Sequence, residues 1–409
     1  MNSRDKTSVW CLAFSQFVAL GTLQFSFSLF VTPMQVELGW SPTEINGALT
    51  AGLLTAGAVS YPVGRWIDKH GPGALLPLSA LAGAGLLALW STVESLATFY
   101  LLWVGLGLVI ATSVNDPVFT ILAKTQRDFK TAITRVAVVG GLASTAFVPL
   151  YYVLLESFGW RGALFGLALL HLAIPGVLNF VQWAVSLKRP FPATAPFQAD
   201  KIPVTPFRTV ARSMAFWILA ITFAAHAFFY FGIIFHFVPM MQFLGLETAS
   251  ILLALAALGP AMVLGRLALL VVPGHVPIRR VGRLVIALHP VAAASLLAIP
   301  TLGFAALATH VVALGLAAGA LTIVRTVGIA EVIGNDCYGA TAGAISGFMA
   351  TARTVSPLAI AVLAEASSYL GAAWLLLAVS LLGAVTLWLL PPAPVHGQNR
   401  TMPIPPRTR

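Results

Sequence analysis

Runs of about 20 apolar residues recur from one end of this sequence to the other, and each is long enough to cross a bilayer core as a helix rising ~1.5 Å per residue. Twelve can be marked, at 9–31, 44–66, 73–91, 96–122, 131–155, 160–186, 214–243, 248–272, 282–299, 303–330, 339–364 and 371–390. The chain has too little charge to be covered by water instead. Only 9% of its 409 residues are charged, 58% are hydrophobic, and the mean hydropathy is +0.91. Ordinary soluble domains carry about 25% charge. Lipid must therefore be the surrounding solvent over most of the surface. Lipid admits only elements that satisfy their own backbone hydrogen bonds, and in runs of this length those are helices. Several segments are rich in Gly and Pro, which spanning helices tolerate. The expected fold is an all-α membrane protein with 12 transmembrane helices.

The net charge of +10 could suggest a nucleic-acid partner. The basic residues argue against it, because they lie in short loops between apolar runs and form no face or arm. That distribution is the signature of membrane orientation. With the N-terminus inside, 18 of the 23 Lys and Arg fall on the cytoplasmic side. They include Arg65 and Lys69, the group Lys124, Arg127 and Lys130, and the group Arg279, Arg280 and Arg283. The outer side carries Arg161 alone, along with Glu37, Glu44, Glu94, Glu156, Glu247 and Glu365. Both termini are expected in the cytoplasm, in the inner (plasma) membrane. The run from Val9 to Val31 is too long for a cleavable leader and reads as the first span. Cys11 and Cys337 stand far apart, with no metal or pairing pattern.

One stretch differs from the rest. Residues 187–213 hold Lys188, Arg189, Lys201, Arg208 and Arg212 with five prolines, and read as a cytoplasmic linker. The sequences on either side of it echo each other. Phe30-Val31-Thr32-Pro33-Met34-Gln35 near the end of the first span matches Phe237-Val238-Pro239-Met240-Met241-Gln242 near the end of the seventh. Pro149-Leu150 and Pro357-Leu358 match in the fifth and eleventh, and Gly64-Arg65 and Gly265-Arg266 in the second and eighth. Matches in the same order point to a duplicated six-helix unit. The expected organisation is two pseudo-symmetric six-helix bundles, 1–186 and 214–390, followed by a disordered tail at 391–409. Transporters with parallel repeats bind substrate near the midplane between the halves.

The loop Gly64-Arg65-Trp66-Ile67-Asp68-Lys69-His70-Gly71 resembles the signature between helices 2 and 3 of the major facilitator superfamily. Gly39-Trp40-Ser41 and Phe158-Gly159-Trp160-Arg161 resemble the bacterial branch near oxalate–formate antiporters and monocarboxylate transporters, and Asn115-Asp116-Pro117, Gly140-Gly141 and Arg325 with Tyr338-Gly339 resemble a bacterial group in that neighbourhood. The resemblance implies a secondary transporter working by alternating access, in which Arg65 and Asp68 belong to a cytoplasmic gate. It further implies that basic residues of helices 8 and 11, here Arg266 and Arg353, meet substrate carboxylates. The acid that accompanies the base in helix 8 of monocarboxylate carriers is missing beside Arg266. The second-half copy of the loop signature, Val272-Pro273-Gly274-His275, also lacks an acid.

Charges at bilayer depth are costly and mark functional candidates. Asp116 lies eight residues before Lys124, and Arg135 five residues after Lys130, so the two reach similar depths on neighbouring helices. A pairing between them, as a gate or a structural bridge, is expected. Pro117 adds a bend there. Arg266, Arg325 and Arg353 outnumber the acids near them, so an anionic substrate is expected to supply the missing charge. Arg325 has a second reading, as the partner of Glu331. His226 could bind substrate or carry protons. Gln24, Phe25, Phe27 and Phe30 of the first span, with the aromatics of the seventh, either wall a cavity or pack. No phosphate loop, zinc helix or nucleophile elbow occurs, and no cofactor or metal is expected. The resulting expectation is a monomeric carrier of a small organic anion, a monocarboxylate or aromatic acid, with protons as candidate coupling ions. Flavin-like vitamin uptake, efflux of a drug or oxyanion, and a non-transporting receptor are the alternatives.

Overall fold

In the computed structural model, the described residues are 3–126, 128–187, 206–269, 271–272, 276–334 and 337–390. Most of the expected linker, the tail at 391–409 and Asp336 lie outside them, as do Pro273, Gly274 and His275 of the second loop copy.

Twelve rods run back and forth. α1 joins Ser3–Ala19, a π-turn at Leu20–Phe25 and Phe27–Leu38. α2 is Pro42–His70 and α3 is Leu75–Trp90. α4 is Leu96–Ser113 and, after a break, Asp116–Thr125. α5 begins as Phe129–Gly141 and continues from Ala143 to a break at Gly159. α6 runs from that break through a π-turn at Leu172–Gly176 into Val177–Leu187. A short turn, Phe207–Val210, precedes α7, Met214–Phe243. The series ends with α8 (Thr248–Ala268), α9 (Ile278–Leu302), α10 (Phe304–Val332), α11 (Tyr338–Ala366) and α12 (Tyr369–Trp388). Among the described residues, nine stretches are long and apolar enough to cross a bilayer, and Leu75–Trp90 is a shorter apolar helix. One of the nine, Pro149–Val185, runs continuously through the α5–α6 turn, so two expected segments share it.

Local signals set these boundaries. α2 opens on a capping box: the Glu44 amide donates to Ser41 Oγ, and the Ser41 amide donates to Glu44 Oε2 at 2.8 Å. The α5–α6 turn rests on Gly159 at φ 64°, a left-handed conformation that a side chain would resist. With an even number of crossings, the start of α1 and the end of α12 lie on one face of the molecule, called here the terminal face.

Each half has its own core. In the first, Phe27, Phe30, Trp90, Phe99, Trp103 and Tyr151 are all buried. Phe27 meets Trp103 edge-on at 4.9 Å, and Trp90 meets Trp103 at 5.1 Å, the geometry aromatic rings prefer. Phe27 and Phe30 of the first span therefore pack within this core. The Trp90 indole donates to Met34 Sδ, which satisfies its one polar atom. In the second half, the repeated residues Phe237, Met240 and Met241 take comparable buried places. Leu78, Leu101 and Leu358 are more than 60% exposed, as residues facing lipid must be.

The halves meet mainly along α2 and α11. A Cβ on Gly64 would overlap the Gly339 carbonyl, and a Cβ on Gly343 would overlap the Ser60 carbonyl. The two backbones touch at these positions, and only glycine allows it. The repeat partner Gly265 instead meets Leu316 of α10, within its own half. The matching Gly-Arg sequences of α2 and α8 thus make different contacts.

Candidate functional site

Between the halves lies a cavity of about 260 Å³. Five of the sequence candidates face it together: Gln24, Asp116, His226, Arg325 and Arg353. Ser346, Tyr230 and Phe231 join them.

Gln24 reaches the cavity from the π-turn of α1, one of the local widenings often found at functional sites. Asp116 reaches it from the break in α4. The bend expected at Pro117 is a full interruption: Asn115 has φ 58° and is the one non-glycine residue with positive φ among those described. Its amide donates to Gln16 Oε1 at 3.1 Å, which compensates part of the interruption. Asp116 then sits in the first turn of a new helix, where the exposed amides favour a negative charge.

The expected partner of Asp116 was Arg135. The structure joins it instead to Arg325 of α10, whose Nη2 donates to Asp116 Oδ1 at 2.7 Å. The reason is geometrical. A broken helix end directs Asp116 across the interface between halves, away from its neighbour α5. Ser346 of α11 completes a triangle: its hydroxyl donates to Asp116 Oδ2 and accepts from Arg325 Nη1 at 3.0 Å. Arg325 is only 8% exposed, so this pairing offsets a large desolvation cost. The alternative partner Glu331 is held by Lys130 of α5 at 2.6 Å. Arg135 is half-buried on α5 and lies outside the cavity lining.

Arg353, on α11, is different. Its guanidinium lies over the Phe231 ring at 5.3 Å, and its buried Nε has no hydrogen-bond partner. Asp116, already engaged, is the only carboxylate among the lining residues. Arg266 is set to one side: its Nη1 donates to the Gly141 carbonyl of α5 at 3.4 Å, its Nε is also unpartnered, and it is absent from the cavity lining. His226 Nδ1 lies 2.9 Å from His289 Nε2 on α9.

Toward the terminal face the halves are tied again. Asp68 pairs with Lys124 at 2.9 Å and accepts from the amides of Gly339 and Ala340 at 3.0 and 2.7 Å. A carboxylate at the start of α11 is favoured by the helix dipole. Arg65 nearby is exposed. Lys130–Glu331 and Asp116–Arg325 are further bonds between the halves.

Ser346, Lys130 and Glu331 were not among the sequence candidates for the site. A serine inside Ile345-Ser346-Gly347 has no signal of its own, since helical serines usually bond their own backbone. The Lys130–Glu331 pair joins residues 201 positions apart, which no local pattern reveals.

A family model described as Major Facilitator Superfamily matches residues 12–311. No curated protein matches in sequence. Solved structures share the fold. A bacterial homologue of the iron transporter ferroportin, in an outward-facing state, aligns with a TM-score of 0.72 at 13% identity, over 93% of this chain and 98% of that one. The human organic anion transporter MFSD10 (TETRAN) aligns at 0.66 and 17% identity, again over 93% and 98%. The proton:xylose symporter XylE, bound to 6-bromo-6-deoxy-D-glucose, aligns at 0.71 and 15%, over 96% and 97%.

Proposed function

The chain belongs to the Major Facilitator Superfamily, and from that premise we propose that it carries a small organic anion, a monocarboxylate or aromatic acid, across the inner membrane by alternating access. The observation that carries this reading is Arg353. It lines the central cavity with an unpartnered Nε, and the one carboxylate of that lining is committed to Arg325. A buried cation without an anion is costly, and a guanidinium binds a carboxylate through two parallel hydrogen bonds. Phe231, Tyr230 and Phe223 add an apolar aromatic wall suited to a ring-bearing acid.

The remaining assignments follow from charge and contacts. Basic residues concentrate toward the terminal face, which supports placing it, and both termini, in the cytoplasm. The tied end would then be the cytoplasmic gate, formed by Asp68, Lys124 and the start of α11, with the cavity serving the outer side. Asp116–Arg325 and Lys130–Glu331 would open with that gate. Residues 1–186 and 214–390 act as the two moving halves, 187–213 as their linker, and the protein works as a monomer.

Thermal unfolding of the purified protein with benzoate, benzamide and inorganic oxyanions tests the substrate class. Ligand bound to the native state raises its apparent stability by mass action. Benzoate is expected to stabilise the wild type and to lose that effect in Arg353→Ala. Equal stabilisation of both proteins by benzamide would overturn the anion reading. Counterflow of the stabilising compound in proteoliposomes then separates a carrier from a receptor.

A further inference from the structure

The cavity wall holds a second group with chemistry of its own. His226 of α7 and His289 of α9 meet at 2.9 Å, their ring planes at 89°. His226 lines the cavity, while His289 is 1% exposed. Phe229 packs against His289 at 5.0 Å. In the neutral state one imidazole N–H donates to the unprotonated nitrogen of the other ring. A single further proton converts the pair to an imidazole–imidazolium and leaves the contact intact.

The titratable and charged groups around this pair come from five helices. On α7 itself Tyr230 lies 6.1 Å from His226, and on α10 Arg325 is within electrostatic reach. Asp116 of α4 is bound to that same Arg325. Arg353 of α11 shares the cavity with His226, and Arg266 of α8 acts on Tyr230. His310, also on α10, is engaged by the Ala292 carbonyl at 2.7 Å, next to His289 on α9. Asp116 offsets the charge of Arg325, whereas Arg353 has no free carboxylate among the cavity-lining residues. Its charge stands against a proton on the pair until an anion enters.

We propose that His226 and His289 form a proton-binding site on the cavity wall whose occupancy is linked to that of a carboxylate on Arg353, so that a monoanion and a proton are carried together. The inference rests on the carboxylate reading of Arg353. The proton comes from water in the cavity, is held on an imidazole nitrogen lone pair, and returns to water when the carboxylate leaves. No other bond is made or broken. Linkage is reciprocal: the bound carboxylate strengthens proton binding by the same factor by which the proton strengthens carboxylate binding.

The test reads histidine protonation directly, by NMR of the full-length protein labelled with ¹⁵N-histidine in nanodiscs. Signals are assigned through His226→Gln and His289→Gln, and Arg353→Glu places a fixed carboxylate at the site. The titration midpoint of the pair is expected at least one pH unit higher in Arg353→Glu than in wild type, a tenfold gain in proton affinity, with His310 unmoved. In a second arm, benzoate added to the wild type at neutral pH should draw protons from a dilute buffer, and His226→Gln should bind benzoate with no such uptake. An unmoved midpoint, or an equal shift of His310, overturns the linkage while leaving benzoate binding intact. Failure of benzoate to bind overturns the carboxylate reading and the transport role given to the proton, whatever the midpoint does.

Discussion

Asp116 and Arg325 show what a buried charge requires of its neighbours. Each is oriented by something outside itself: the carboxylate by a broken helix, the guanidinium by a rigid one, and both by the Ser346 hydroxyl. Removing one partner strands the other, which typically costs about 3–5 kcal/mol, whereas replacing both by apolar residues often costs far less. Asp116→Leu or Arg325→Met alone should therefore lower the unfolding temperature sharply, and the double variant should regain most of the loss in a double-mutant cycle. Additive losses would mean that the pair contributes nothing as a unit. Asn115 gives a second prediction at this scale. Its φ of 58° stores backbone strain that glycine lacks. Asn115→Gly should be neutral or stabilising by ~1 kcal/mol in thermal unfolding, and Asn115→Val should destabilise by about 2 kcal/mol, because a branched side chain resists positive φ.

At the scale of the element, the contact of α2 with α11 is the most exacting in the molecule. Gly64 and Gly339 sit backbone to backbone, and Asp68 one turn beyond Gly64 holds the amides at the start of α11. Small residues permit the approach and the carboxylate holds it. Gly64→Val should therefore push the helices apart at the terminal face without damaging either bundle core. Spin labels at Lys69→Cys on α2 and Arg280→Cys on α9, both exposed, in a background free of Cys11 and Cys337, would report it. A longer-distance population absent from the parent is expected. An unchanged distance with an intact fold would show that this seam does not hold the face shut. The loop motif around Asp68 was legible in the sequence because its residues are contiguous. The helix it acts on was not, since Gly339 lies 271 positions away.

For the whole molecule, the question is what distinguishes one conformation from the other. Three of the named bonds between halves involve side chains of opposite charge or a carboxylate on helix amides: Asp68 with α11, Asp116 with Arg325, and Lys130 with Glu331. Breaking them together is what opening the terminal face demands, so each biases a two-state equilibrium. Lys130→Glu should open the face through like-charge repulsion with Glu331, and Lys130→Glu combined with Glu331→Lys should close it again, read by the same spin-label pair. If the swapped double variant stays open, the side-chain geometry rather than the charge is decisive.

The sequence by itself determined the solvent, the number of spans and the family. Apolar run length and charge scarcity act through the free energy of single side chains in lipid, which needs no knowledge of neighbours. It also marked the rare intramembrane charges, because their cost is equally local. Which of those charges meet was decided only by the tertiary structure. Asp116 found Arg325 in place of Arg135, Glu331 found Lys130, and Arg353 alone of these three intramembrane arginines (Arg266, Arg325 and Arg353) reached the cavity wall with no protein acid beside it. Those choices depend on the rotation of each helix about its axis and on a backbone break that redirects one side chain. Close packing between helices far apart in sequence sets both.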